Sequence, residues 1–228
     1  GSYAYDQLSR FNTLADRLAI GGLLREESFV LPSHGTNKTA SKRKIVCATG
    51  PDLQECCELA VKSASAVKSL DDVELIVNFH PLSPMDFRRR VQDLVQRQNL
   101  INSNVIFTDK PIKDLLADGI DAVIYADTNA AFEVVSSKGK AIHINNDYTI
   151  SFDKLPEGLS RQATTDRELE TLISELDRAS SWPDSSTVNR TLDDCFQPVD
   201  IDAILSSLSP VGDRRDSISP ISNKELPK

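Results

Sequence analysis

The sequence has little of what disulfide-stapled or metal-bound domains are built from. Four cysteines in 228 residues, Cys47, Cys56, Cys57 and Cys195, form neither a disulfide framework nor a paired zinc-ligand spacing. The three histidines, at 34, 80 and 143, are too scattered for a metal-ligand cluster. A reducing cytoplasm fits these absences best, and neither a metal nor a cofactor is expected. No apolar run approaches the roughly 18–20 residues that span a bilayer, and no signal peptide stands out. A transmembrane segment is therefore not expected, and association with the inner membrane surface would be peripheral. With 34 acidic residues against 26 basic ones, the net charge of −8 lacks the basic stripe of a general nucleic-acid binder. No Gly-x-Gly-x-x-Gly or Walker-type loop occurs, which counts against a dinucleotide dehydrogenase or a P-loop enzyme.

What is present is ordinary for a globular protein, with 39% hydrophobic and 26% charged residues. Residues 1–43 read as an N-terminal helical segment and linker. Leu8, Phe11, Leu14, Ala15, Leu18 and Ala19 recur at helical spacing, and 32–43 carries turn and basic residues with almost nothing apolar. Residues 44–180 alternate strand and helix. Strands are predicted at 44–48, 74–79, 104–107, 122–125 and from 141 to 144. Helices are predicted from Pro51 to about 68, over 85–98, over 112–118, after Asn129 and over 166–178. Residues 145–161 read as irregular. Residues 181–228 are rich in Ser, Pro and Asp and read as an extension that is largely irregular or disordered.

This alternation predicts an α/β fold: a Rossmann-like, doubly wound parallel sheet of about five strands. Right-handed crossovers give the order 3-2-1-4-5, with the switch point between the strands ending at Ala48 and Ala126. Three polar spots then converge on the carboxyl edge: Thr49-Gly50, His80-Pro81 and Thr128-Asn129. Asp127-Thr128-Asn129 offers N-cap candidates for a helix that Gly139 closes. Such a terminus presents unpaired N–H groups to a phosphate, or simply begins a helix. His80 at a strand end would donate a hydrogen bond to a ligand, or merely end the strand. Gly50 would let backbone approach a ligand, or serve an ordinary turn. Asn129 and Glu133 are four apart and share a helix face. Arg88, Arg89 and Arg90 lie about 100° apart around a helix, cannot form one clamp, and read as solvated. His143 reads as a structural residue in a buried strand.

The run from Lys44 to about Leu159 resembles the C-terminal, donor-binding domain of GT-B glycosyltransferases. Thr108 to Asn129 is similar to that family's short helix, strand and polar turn, and Phe132-Glu133 through Gly139-Lys140 to its Glu-containing helix and following strand. Here Glu133 and Gly139 are one residue further apart than in the common pattern, and Ala141 stands where a Pro is usual. His80-Pro81 resembles the His-Pro motif of bacterial sialyl-, Kdo and glycerophosphotransferases, which use cytidine-activated donors. The resemblance implies transfer of a sugar from a nucleotide-activated donor, CMP-sugars before UDP-sugars, onto a glycan or lipid-linked acceptor in surface polysaccharide or glycoconjugate synthesis. It implies His80 as the catalytic group, with Thr49, Gly50, His80, Pro81, Thr128, Asn129 and Glu133 at the donor. Thr128 and Asn129 would meet the phosphate, Glu133 the ribose, and the loop from Thr108 to Ile112 the base. The stretch before Lys44 is too short for an acceptor domain, so a fragment, or a subunit completed by a partner, is expected. Two alternatives stay open: a non-catalytic Rossmann-like binding or regulatory module, and a nucleotide-sugar epimerase.

Overall fold

The computed structural model describes residues 42–102, 104–147, 153–178 and 182–195. They belong to one compact unit, 25–195; the other unit, 1–24 with 196–228, lies outside the described residues. The predicted N-terminal helix and the tail beyond 195 therefore also lie outside them.

Six strands form one all-parallel sheet: β1 (Arg43–Ala48), β2 (Val73–Asn78), β3 (Val105–Thr108), β4 (Ala122–Tyr125), β5 (Lys140–Ile144) and β6 (Ser160–Ala163). Their order is β3-β2-β1-β4-β5-β6, so the expected doubly wound order holds with one strand added outside β5. Sequence reading ended an irregular stretch at 161 and predicted no strand where β6 lies. Its residues Ser-Arg-Gln-Ala have no apolar run, and Arg161 and Gln162 face solvent from a sheet edge. Pairing with β5, from Ala141 against Ser160 to Ile144 against Ala163, holds it there.

The helices are α1 (Leu53–Ala66), α2 (Met85–Arg97), α3 (Ile112–Ala117), α4 (Ala130–Ser136), α5 (Asp166–Ser174) and α6 (Ser185–Cys195). Helix α1 packs against α2 and α5, and α4 against α3 and α6. Right-handed crossovers put α1 and α2 on one face of the sheet and α3 and α4 on the other, and α5 joins the first pair through α1 and α6 the second through α4. Ile45, Cys47, Leu75 and Val77 alternate toward the α1 face and meet Cys56, Leu59 and Ala60 in a continuous core. Leu59 is fully buried, so its truncation to Ala would cost about 2–5 kcal/mol. Within the stretch read as an extension, Trp182 packs into this core and Ser185–Cys195 is helical. The indole Nε1 donates to the Glu175 carbonyl at 3.4 Å.

Local chemistry sets the helix ends. Asp52 caps α1 by accepting from the Glu55 N–H at 2.9 Å, so Pro51 stands just before the cap rather than in the first turn. Thr165 and Glu168 form a capping box on α5. Gly139 was expected to terminate α4. The left-handed position falls instead on Lys138, at φ 67°. Lys138 donates to the Val135 carbonyl at 3.0 Å and Gly139 to the Val134 carbonyl at 2.9 Å, which is a Schellman closure. Gly139 is required for space: a Cβ there would lie 2.4 Å from Val134 Cγ1 and 3.0 Å from its carbonyl oxygen.

These two neighbours should respond with opposite signs. Gly139→Ala is expected to lower stability by about 1–3 kcal/mol through overpacking. Lys138→Gly should raise it by up to about 1 kcal/mol, because glycine adopts the left-handed conformation without a Cβ penalty. Urea unfolding midpoints at constant slope measure both; a Lys138→Gly variant no more stable than the parent refutes the assigned strain.

Candidate functional site

Parallel register decides what meets at the carboxyl edge. Ala48 pairs with Asn78 on one side and Tyr125 on the other, and Asn78 pairs with Thr108. Chain segments 49–50, 79–81, 109–111 and 126–129 therefore leave the sheet at one level. Polar bonds tie three of them together. Thr49 is buried, and both its N–H and its hydroxyl donate to the Asn78 carbonyl, at 3.0 and 3.2 Å. The Asn78 amide donates to the Lys110 carbonyl at 2.8 Å. Ser83, also buried, donates from its hydroxyl to the Gly50 carbonyl at 3.5 Å and from its N–H to the His80 carbonyl at 2.8 Å. Asn78 and Ser83 were not among the expected site residues. The signals were an Asn ending an apolar strand and a Ser inside the His80-Pro81 turn.

His80 is half-buried, and its Nδ1 accepts the Leu82 N–H at 3.1 Å. The acceptor role of Nδ1 puts the neutral ring's proton on Nε2, which is left to donate. Pro81 is exposed. Thr108 is half-buried, with its hydroxyl oxygen accepting from the Lys110 N–H at 3.2 Å, and Ile112 opens α3. Arg88 is not simply solvated. It pairs with Asp109 at 2.5 Å and lies 6.0 Å from the Phe79 ring centroid, while Arg89 and Arg90 are exposed. Phe79, buried in the core, stacks on the half-buried Phe107 at 6.2 Å, with the Arg88 guanidinium beside it.

At the switch point between β1 and β4 the structure places a residue that sequence reading passed over. Glu55 lies in the first turn of α1, only 8% exposed, with its carboxylate turned back to accept the Gly50 N–H at 3.1 Å. The close approach that Gly50 permits is thus made by this carboxylate. A Cβ on Gly50 would sit 2.5 Å from Glu55 Oε1. The Gly50 carbonyl accepts from Cys56 Sγ at 3.1 Å, which completes the turn. Burial pushes the Glu55 carboxyl above its ordinary range; the Gly50 N–H opposes this, Asp127 and Asp52 add to it, and Lys154 partly offsets it. The Asp52-x-x-Glu55 spacing is that of a capping box and could have flagged the backward reach.

The β4–α4 turn is less well endowed than its sequence suggests. Asn129 occupies the cap position of α4 with helical backbone and makes no side-chain cap bond. The Thr128 hydroxyl oxygen accepts from the Ala130 N–H at 3.3 Å, and the Phe132 N–H donates to the Asn129 carbonyl at 3.0 Å. At seven residues, α4 contributes little aligned dipole. Glu133 is half-buried one turn above the exposed Asn129. Asp127 pairs with Lys154 at 2.6 Å. The adjoining Asp153 accepts from the Tyr125 and Ser160 hydroxyls and from the Leu155 N–H at 2.9 Å. His143 packs edge-on against Tyr125, with centroids 5.4 Å apart, and is 1% exposed. Burial lowers its pKa, while the nearby Asp153, Ala126 carbonyl and Asp127 act in the other direction. Both ring nitrogens of His143 are buried without a partner in full hydrogen-bond geometry, although the Ala126 carbonyl lies near enough to raise its pKa. Among the described residues no group of three or more His, Cys, Asp or Glu side chains could hold a metal ion, and no helix is long and apolar enough to cross a membrane.

No protein-family model matches the chain, and no curated protein matches it. Solved structures do share its fold. A lipopolysaccharide outer core galactosyltransferase, WaaB in its apo form, superposes with a TM-score of 0.54 at 9% identity, over 89% of this chain and 58% of that one. A UDP-N-acetylglucosamine 2-epimerase superposes with a TM-score of 0.50 at 16% identity, over 85% of this chain and 55% of that one. The chain thus spans little more than half the length of either neighbour.

Glu55 and His143 predict a stability profile with two flanks. A carboxyl raised above its ordinary 4.5 contributes stability that is complete below that pH and is lost as pH rises through the folded-state pKa. A histidine lowered from 6.5 contributes stability present above 6.5 and lost as pH falls through its folded-state pKa. Glu55→Gln keeps an acceptor for the Gly50 N–H without the charge. Its stability relative to the parent, from urea unfolding in steps from pH 4.5 to 8, should therefore rise with pH and level off above the folded-state pKa. The rise amounts to about 1.4 kcal/mol for every tenfold by which folding tightens the carboxyl's hold on its proton. A difference that stays constant with pH would contradict a charged buried Glu55.

Proposed function

We propose that this chain is the donor-binding half of a glycosyltransferase that uses a nucleotide-activated sugar. The observation that carries the reading is that the 49–50, 80–81, 108–112 and 128–133 segments all leave the carboxyl edge of one sheet at one level, around the β1–β4 switch point, on a fold shared with a galactosyltransferase. His80 would donate from Nε2 to the donor phosphate or ribose. Thr128 and Asn129 would meet the phosphate, and Glu133 would accept the ribose hydroxyls. The base would lie against 108–112. A hydrogen bond that strengthens as charge develops on the leaving phosphate is the catalytic contribution open to His80. Gly50 and Thr49 serve as the floor, since their polar groups are bonded within the protein. The His80-Pro81 pair favours cytidine monophosphate donors ahead of uridine diphosphate sugars. The acceptor, a glycan or lipid-linked glycan, would be bound by another domain or subunit, consistent with a chain little more than half the length of its neighbours.

One observation favours a second reading, a non-catalytic binding or regulatory module. Glu55 takes the Gly50 N–H that an anion would use, and Asp52 and Asp127 add negative charge at the same crevice. A nucleotide-sugar epimerase would share the donor contacts and differ in product.

Calorimetric titration of the full chain with CMP, CDP, UDP and UDP-sugars separates these readings. Saturable binding is expected, weakened about 10- to 100-fold in His80→Ala and in Glu133→Ala, the range for losing a hydrogen bond to a charged group. Failure of every nucleotide to bind at millimolar concentration would exclude the donor site and leave the regulatory module. Conversion of a UDP-sugar to its epimer without an acceptor would favour the epimerase.

A further inference from the structure

A donor phosphate at this switch point needs a positive partner, and the backbone offers little. The Gly50 N–H is held by Glu55, the Ala130 N–H by Thr128, and α4 is short. Asp52, Glu55 and Asp127 make the crevice acidic. Arg88 is committed to Asp109 and Phe79 on the β2–β3 side. Among the described residues, Lys154 is the cation whose charge acts on Glu55. We propose that Lys154 is the phosphate-binding cation of the site, held on Asp127 while no ligand is bound and transferred to the phosphate when the donor arrives. This rests on the donor-site reading above and adds a residue to it.

The geometry suits an exchange. The Lys154–Asp127 pair is short, at 2.6 Å, but its side chains are 39% and 53% exposed. An ion pair that open to water contributes only about 0–1 kcal/mol. A phosphate, which carries more charge and more acceptor oxygens than one carboxylate, can displace Asp127 at small cost. The start of the lysine stem, by contrast, is anchored. Asp153 next to it receives the Tyr125 and Ser160 hydroxyls and the Leu155 N–H, and Tyr125 is a fully buried residue of β4. The ammonium can swing while its backbone stays registered to the strand whose end forms the crevice. Asp127 then has a defined part: it keeps the cation in place and screens it from other anions.

The test uses the full chain, titrated with CMP and UDP, and with inorganic phosphate as a second probe, at 50 and 300 mM salt. Lys154→Met should weaken nucleotide binding about 10-fold or more and flatten its salt dependence, while Lys154→Arg retains most of the affinity. Asp127→Asn should tighten binding about 3- to 10-fold, because it frees the lysine and removes a competing anion. Inorganic phosphate should follow the same order of variants at lower affinity. A purely structural ion pair would make both single variants weaker in proportion to their melting temperatures, and that result overturns the assignment. So does a Lys154→Met variant that binds as tightly as the parent, which would leave the donor-site reading intact. A parent chain that binds none of the three probes overturns both.

Discussion

Strand β1 is the constraint on which the site depends. Its backbone is bonded on one side to β2 and on the other to β4, in register to the same last residue, Ala48. Unpaired backbone groups cannot be left inside a sheet covered on both faces, so the pairing is obligatory. Strands are added outward from β1 in both directions, and right-handed crossovers therefore send α1 and α4 to opposite faces. The gap between the outgoing chains at Thr49 and Ala126 is a consequence of that divergence. A shift of one residue in either pairing would turn Asn78 or Tyr125 to the wrong face and undo the bonds to Lys110 and Asp153.

Electrostatics then fills the gap in an uncommon way. The first turn of α1 favours a negative group by about 0.3–1 kcal/mol, and the Gly50 N–H adds a charge-assisted hydrogen bond. Burial and the neighbouring Asp127 and Asp52 act against it. The upward direction of the Glu55 pKa says that the second set wins over the first. Glu55 is therefore held at a cost, with its carboxyl group in the turn where a Rossmann-like fold can hold a ligand phosphate. The β1–α1 turn satisfies its own polar groups, which leaves the charged contacts of the proposed ligand to the β4 side.

Periodicity made the frame legible. Each strand of the 3-2-1-4-5 set begins and ends within a residue of its expected place, since runs such as Ile45-Val-Cys47 and Ala122-Val-Ile-Tyr125 bury both faces. Strand β6 was not legible because an edge strand needs no apolar run. Gly139 closes the helix as expected, and the structure adds that space rather than a left-handed conformation demands the glycine. The candidate site was half legible. His80, Thr108, Thr128, Asn129 and Glu133 sit at strand ends or the first turn that follows, which topology alone locates. Lys154 was invisible: it lies in an irregular stretch, and Asp153's bonds to β4 and β6 with its own pairing to Asp127 bring it to the edge.

Neutral and charged contacts divide the work in this arrangement. Thr49, Asn78 and Ser83 link three loops through buried hydrogen bonds, each left unsatisfied only at about 1–3 kcal/mol, so the shape of the edge is set before any ligand arrives. The charged pair lies out in solvent, where rearrangement costs little. A site built this way resists distortion of its floor and tolerates exchange of its ions. In the proposed donor site, such an edge would recognise the uncharged parts of a nucleotide by fit to a preorganised surface and take up the phosphate by swapping one anion for another.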